Sequence, residues 1–160
     1  MTAALPTVLA PLIGTFAGAG AGEFPTVDPF RYREEVSFTS NGTPVLAYRQ
    51  RTWGLESGRP MHAEDGFLRL AGDTRVELLL AHSFGLTEVQ EGELEVEVAP
   101  GGVLRLRLAS TAIGVAGSAK PVDAVQRELM LDGDVLRSEL WMSYAGVQSQ
   151  HLVSELHRAG

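Results

Sequence analysis

Four histidines, one lysine and no cysteine bound the chemistry open to this chain of 160 residues. The imidazoles belong to His62, His82, His151 and His157. A neutral imidazole ligates metals, and its proton comes and goes near neutral pH. Without cysteine there is no thiolate nucleophile, no disulfide frame and no sulfur-based zinc or iron–sulfur site. No serine stands in a G-x-S-x-G elbow. Glu64 and Asp65 are adjacent, so they do not read as two carboxylates flanking a scissile bond. Met61 and His62 are also neighbours: an extended strand sends them to opposite faces, whereas a loop lets both line one cavity. Taken alone, Met61 reads as a core gap-filler. His82, just before Ser83-Phe84-Gly85, is expected to cap a turn, and His157 to face solvent.

The elements that hold these residues are set by composition and pattern. At 44% hydrophobic the chain can bury one core, and its length suits one domain over residues 1–160, with residues 1–10 expected to be flexible. A net charge of -7 and a single lysine, Lys120, argue against binding to nucleic acid or to an anionic membrane surface. Met1 to Gly22 carry no charged side chain, but Pro6, Pro11 and the glycines break the apolar run. The basic start of a signal peptide is missing too, so a cytoplasmic protein is expected.

Period-two alternation dominates after residue 30. In "ELEVEVAPGGVLRLRLAS", Leu94, Val96 and Val98 alternate with glutamates, and Leu104, Leu106 and Leu108 alternate with Arg105 and Arg107. A hairpin turning about Gly101 is expected to set Glu97 opposite Arg105 and Glu95 opposite Arg107. Asn41-Gly42 marks a second hairpin, whose register sends Glu34 and Gln50 inward as a buried polar bridge. Many short antiparallel strands, no βαβ rhythm and at most a turn of helix around Leu9 to Gly14 predict a closed barrel or sandwich.

"GTFAGAGAGEFPTV" has glycines spaced wrongly for a phosphate loop or a dinucleotide fingerprint. It reads instead as a strand stripped of side chains on one face, open to a bend or to the close approach of a backbone or a flat ligand. Gly14-x-Phe16-x-Gly18-x-Gly20-x-Gly22 resembles the G-x-W-x-G-x-G-x-G signature of the nitrobindins, small haem-binding β-barrels. "EFPTV", "PMHAEDGFLR", "VELLLAHSFGLTEVQEG", "SAKPV" and "HLVSELHR" follow in that family's order. The resemblance runs from about Ile13 to Arg158.

The resemblance implies an all-β, ten-stranded antiparallel barrel like the lipocalins and fatty-acid-binding proteins, with haem b in its mouth. It implies His151 as the proximal iron ligand, Lys120 and Thr26 near the haem edge and propionates, and Met61 and His62 on the distal side. It further implies nitric oxide binding and isomerisation of peroxynitrite to nitrate on ferric haem. Phe16 stands where the family carries Trp, and Arg158 is expected to stack on it. Leu152 and Leu156 share a parity that His151 does not, so His151 needs a bulge or a strand-entrance position to aim inward. The same barrel can instead be a haem-free carrier of a fatty acid or another small apolar ligand.

Overall fold

The computed structural model describes residues 3–24, 27–98 and 101–160. A short 3-10 helix, Thr7–Leu12, precedes ten strands: β1 Gly14–Phe24, β2 Val27–Ser40, β3 Val45–Gly54, β4 Pro60–Leu70, β5 Arg75–His82, β6 Leu86–Glu97, β7 Val103–Val115, β8 Ala124–Asp132, β9 Val135–Tyr144 and β10 Val147–Arg158. Each strand pairs antiparallel with its chain neighbours, and β1 pairs with both β2 and β10, which closes the barrel. Closure removes the unpaired sheet edge that an open meander exposes. Among the described residues no helix is long and apolar enough to cross a membrane. The expected ten-stranded antiparallel barrel is the fold observed.

The glycine strand explains how the barrel closes. A Cβ on Gly18 would stand 2.2 Å from the Glu155 carbonyl oxygen, so only a bare residue lets β10 approach there. Further along, the Tyr32 ring lies over Gly20, and Phe30 with Leu152 lies over Gly22. The face cleared of side chains is thus occupied by a neighbouring backbone and by the protein's own rings.

One end of the barrel is plugged. The 3-10 helix begins inside the stretch expected to be flexible, and its Leu9 and Leu12 are fully buried against Phe16, Phe38 and Leu136 in the larger apolar cluster. The Arg158 guanidinium lies 4.6 Å from the centre of the Phe16 ring, as expected, and donates to the carbonyls of Pro11 and Ile13. A second, smaller cluster of Leu86, Val122, Val125 and Met142 sits apart from the first.

The β6–β7 hairpin departs from its expected register by two residues. Glu95 faces Arg105 and Glu93 faces Arg107, because the connection runs from Val98 to Gly102, with both Gly101 and Gly102 at positive φ. The faces are unchanged, since the shift moves the pairing by an even number of residues. The expected charge partners still meet, but diagonally: Arg107 to Glu95 at 3.1 Å and Arg105 to Glu97 at 3.6 Å.

Candidate functional site

A belt of inward-facing polar residues crosses the barrel between its two apolar clusters. On β8, Val125 belongs to the mouth cluster and Leu129 to the base cluster, and the residue between them with the same parity is Arg127. By the same alternation Glu34, Gln50, Glu64, Glu88 and Ser154 turn inward on β2, β3, β4, β6 and β10. Arg127 donates to Glu64 through both terminal nitrogens and to the Tyr48 hydroxyl at 2.9 Å, and Tyr48 donates to Glu64 at 2.6 Å. Glu34 accepts from Gln50 at 3.5 Å and from Ser154 at 3.2 Å, so the expected buried bridge exists with a third member.

Burial and low dielectric make these charges strongly coupled. Burial works to raise the Glu64 carboxyl, but the Arg127 guanidinium and the two histidines overcome it and hold the group well below the usual carboxylate range. Burial opposes the charge on His82 as well, yet Glu64 and Glu88 win and raise it to about 9. Among the described residues no cation contacts Glu34 directly; burial, then the nearby charge of Glu64, push it up to about 7.

The sign for Glu34 follows from linkage. A carboxyl that titrates higher in the folded chain than its ordinary 4.5 favours folding while protonated, and that contribution is lost as the pH rises to about 7. Stability therefore falls by about 2–3 kcal/mol from this one group across that window. Glu34→Gln is expected to remove the fall, as read from urea midpoints measured at both ends of it.

Above the belt lies a cavity of about 230 Å³ at the barrel mouth. Its wall is mainly apolar, with Phe24, Phe30, Phe84, Leu140, Met142 and Leu152, while Thr52, His62, Glu64 and His82 supply its polar side. Met61 and His62 both line it. Strand β4 carries an extra residue here: Pro60 faces Trp53 and His62 faces Thr52, so Met61 is the bulged position. The bulge is what lets two neighbours face one cavity. Met61 is half exposed at the rim rather than packed in the core.

His82 does not cap a turn. It is buried, directly opposite Glu64 in the β4–β5 ladder, with Nε2 2.6 Å from Glu88 and Nδ1 3.0 Å from Glu64. His62, two residues before Glu64 and on the same face, brings Nε2 within 3.2 Å of His82. The signal was parity: His82 alternates with Val76, Leu78 and Leu80, all buried. Arg127 and Glu88 were legible by the same rule and were missed.

His151 keeps the parity its sequence gives it. Gln150 and Leu152 line the cavity, whereas the His151 ring stacks on Trp141, with centroids 5.3 Å apart, and its Nε2 sits 2.8 Å from Glu139. The register of β10 does shift between Gln148 and Gln150, but the shift ends before His151 and leaves the ring on the outer face. Lys120 is exposed on the β7–β8 connection and does not line the cavity. Thr26 lies outside the described residues.

A closed antiparallel barrel with an apolar pocket at its mouth and imidazole at the rim defines a ligand-binding β-barrel. Residues 7–158 match the family described as THAP4-like, heme-binding beta-barrel domain, and the chain belongs to that family. It is 45% identical over 151 residues to "Peroxynitrite isomerase 1" of Mycolicibacterium paratuberculosis, covering 94% of this chain and 92% of that one. It is also 45% identical to "Peroxynitrite isomerase" of Nocardia farcinica, covering 94% and 88% respectively. The crystal structure of Rv2717c from M. tuberculosis superposes with a TM-score of 0.88 at 41% identity, covering 98% of this chain and 99% of that one.

The residues fit a haem in part. The aromatic and aliphatic wall suits a flat apolar macrocycle. His151, stacked on Trp141 and bonded through Nε2 to Glu139, is not part of that wall. Ligation through it requires the ring to leave both partners.

Proposed function

We propose that the chain takes haem b at the barrel mouth, binds nitric oxide there and isomerises peroxynitrite to nitrate. The observation that carries this reading is a mouth pocket lined by Met61 and His62, in a chain of the haem-binding barrel family whose relatives are named for that reaction. When bound, haem supplies the iron centre on which the isomerisation depends. The chain's residues bind, orient and exclude. The phenylalanines and Leu152 keep water from an apolar ring system, and Met61 at the rim limits what enters. His62 offers a polar edge to an anionic oxygen on the polar side of the cavity. The iron would be held by His151, once its ring has left Trp141 and Glu139, and a propionate would be met by Lys120.

The test is stopped-flow decay of peroxynitrite with hemin-loaded protein. Decay faster than with equal free hemin, with nitrate as product, is expected. A slowing of roughly 10-fold or more is expected for His62→Ala at unchanged haem content. Decay no faster than with free hemin contradicts the reading. A haem-free carrier of a fatty acid is the second reading, favoured by the outward His151 and the small apolar cavity. Tight fatty-acid binding with no hemin uptake selects it.

A further inference from the structure

His62 Nε2, His82 Nδ1 and Glu64 Oε2 form a triangle with edges of 3.0, 3.2 and 3.4 Å. Three nitrogen and oxygen ligands at zinc bond lengths, about 2.0–2.2 Å, occupy a tetrahedral face with edges of ~3.3–3.5 Å. The three atoms already stand close to the spacing that a zinc ion imposes, with little adjustment required. The geometry points to a divalent-cation site of zinc type at the barrel mouth, held by His62, Glu64 and His82, whose fourth position opens into the cavity.

Two observations beyond the triangle support it. The ligands are braced as metal ligands are: the far nitrogen of His82 bonds Glu88 at 2.6 Å, and Glu64 is held by Tyr48 and Arg127 on its second oxygen and by Arg127 Nη2, at 3.2 Å, on Oε2 itself. Such carboxylate–histidine partners fix the ring's orientation and raise its basicity toward a metal. Phe84 also packs against both imidazoles, with ring centroids 5.4 Å away in each case. The His82 and Glu64 side chains are almost wholly buried, while His62 is a quarter exposed and gives an entry path from the mouth. Two imidazoles, one carboxylate and one open position match catalytic-type zinc sites. Mg²⁺ and Ca²⁺ favour all-oxygen shells and fit poorly.

The site does not depend on haem, and its test is run on the full chain without added hemin. Titration with Co²⁺ is expected to give the visible bands of tetrahedral cobalt at one ion per chain, and Zn²⁺ is expected to abolish them. His62→Ala, at a partly exposed position that leaves the buried belt intact, is expected to weaken binding at least 100-fold. Glu88→Gln is expected to weaken it by roughly 10–100-fold through His82. His157→Ala, which removes an exposed imidazole beside Glu155, is expected to change nothing. The proposal is overturned if no one-to-one cobalt spectrum forms. It is overturned equally if affinity is indifferent to His62→Ala in a variant shown to be folded by circular dichroism, or if it falls with His157→Ala. Any of these results leaves His82 as a bridge between Glu64 and Glu88 and nothing more. Peroxynitrite kinetics play no part in these outcomes, so failure here and failure of the haem reading remain separable.

Discussion

Arg127→Met is expected to lower the free energy of unfolding by about 3–5 kcal/mol. Methionine keeps the unbranched stem and much of the volume of the lost side chain, which limits the cavity contribution. The cost comes from the partner left behind. Glu64 is buried at 2% exposure, and the Arg127 guanidinium is the largest of the favourable influences, ahead of His62 and His82, that hold it ionised within the belt. Without that cation the carboxylate either stays charged in a low-dielectric interior or takes up a proton, and both outcomes lose stability relative to the intact pair. The double variant Arg127→Met/Glu64→Gln is expected to regain most of the loss, because replacing both ends of a buried pair is far cheaper than orphaning one. Urea unfolding of the two single variants and the double variant gives the coupling directly. A double variant no more stable than Arg127→Met would show that the belt works through shape rather than charge.

Gly18→Ala is the second large effect, about 2–3 kcal/mol for overpacking against a rigid neighbour. The added methyl group meets the Glu155 carbonyl oxygen at 2.2 Å, and that atom belongs to the β1–β10 ladder that closes the barrel. Relief requires the two backbones to part, so the loss falls on closure itself. Gly20→Ala is expected to cost less, since its contact is the far end of the Tyr32 side chain. Gly117→Ala, whose added Cβ meets no atom of the described residues within 4 Å, is expected to be neutral. Thermal midpoints of the three variants check the order.

Much of this was legible in the sequence through parity alone. Alternation of charge and aliphatic residues gave β6 and β7 their faces, and the bare face of β1 gave the close approach of β10. The turn of the β6–β7 hairpin was not legible to the residue, because "APGG" admits several loop lengths of the same parity and the charge ladder tolerates a diagonal. Arg127 and His82 escaped for a different reason. An inward arginine contradicts the usual preference for solvent, and only its partner four strands away, Glu64, makes the position sensible. His82 stands at the end of β5, beside a turn signal that offered a simpler role. His151 shows the converse: its parity foretold an outward ring, while the family motif assigned it to the haem.

The proposed haem ligation runs through that one imidazole, and a hemin titration followed at the Soret band tests it most directly. The account predicts saturable uptake by the wild-type protein and by His157→Ala, and an affinity at least about 10-fold weaker with a displaced Soret band for His151→Ala. Identical spectra and affinities for His151→Ala and the wild type would contradict it.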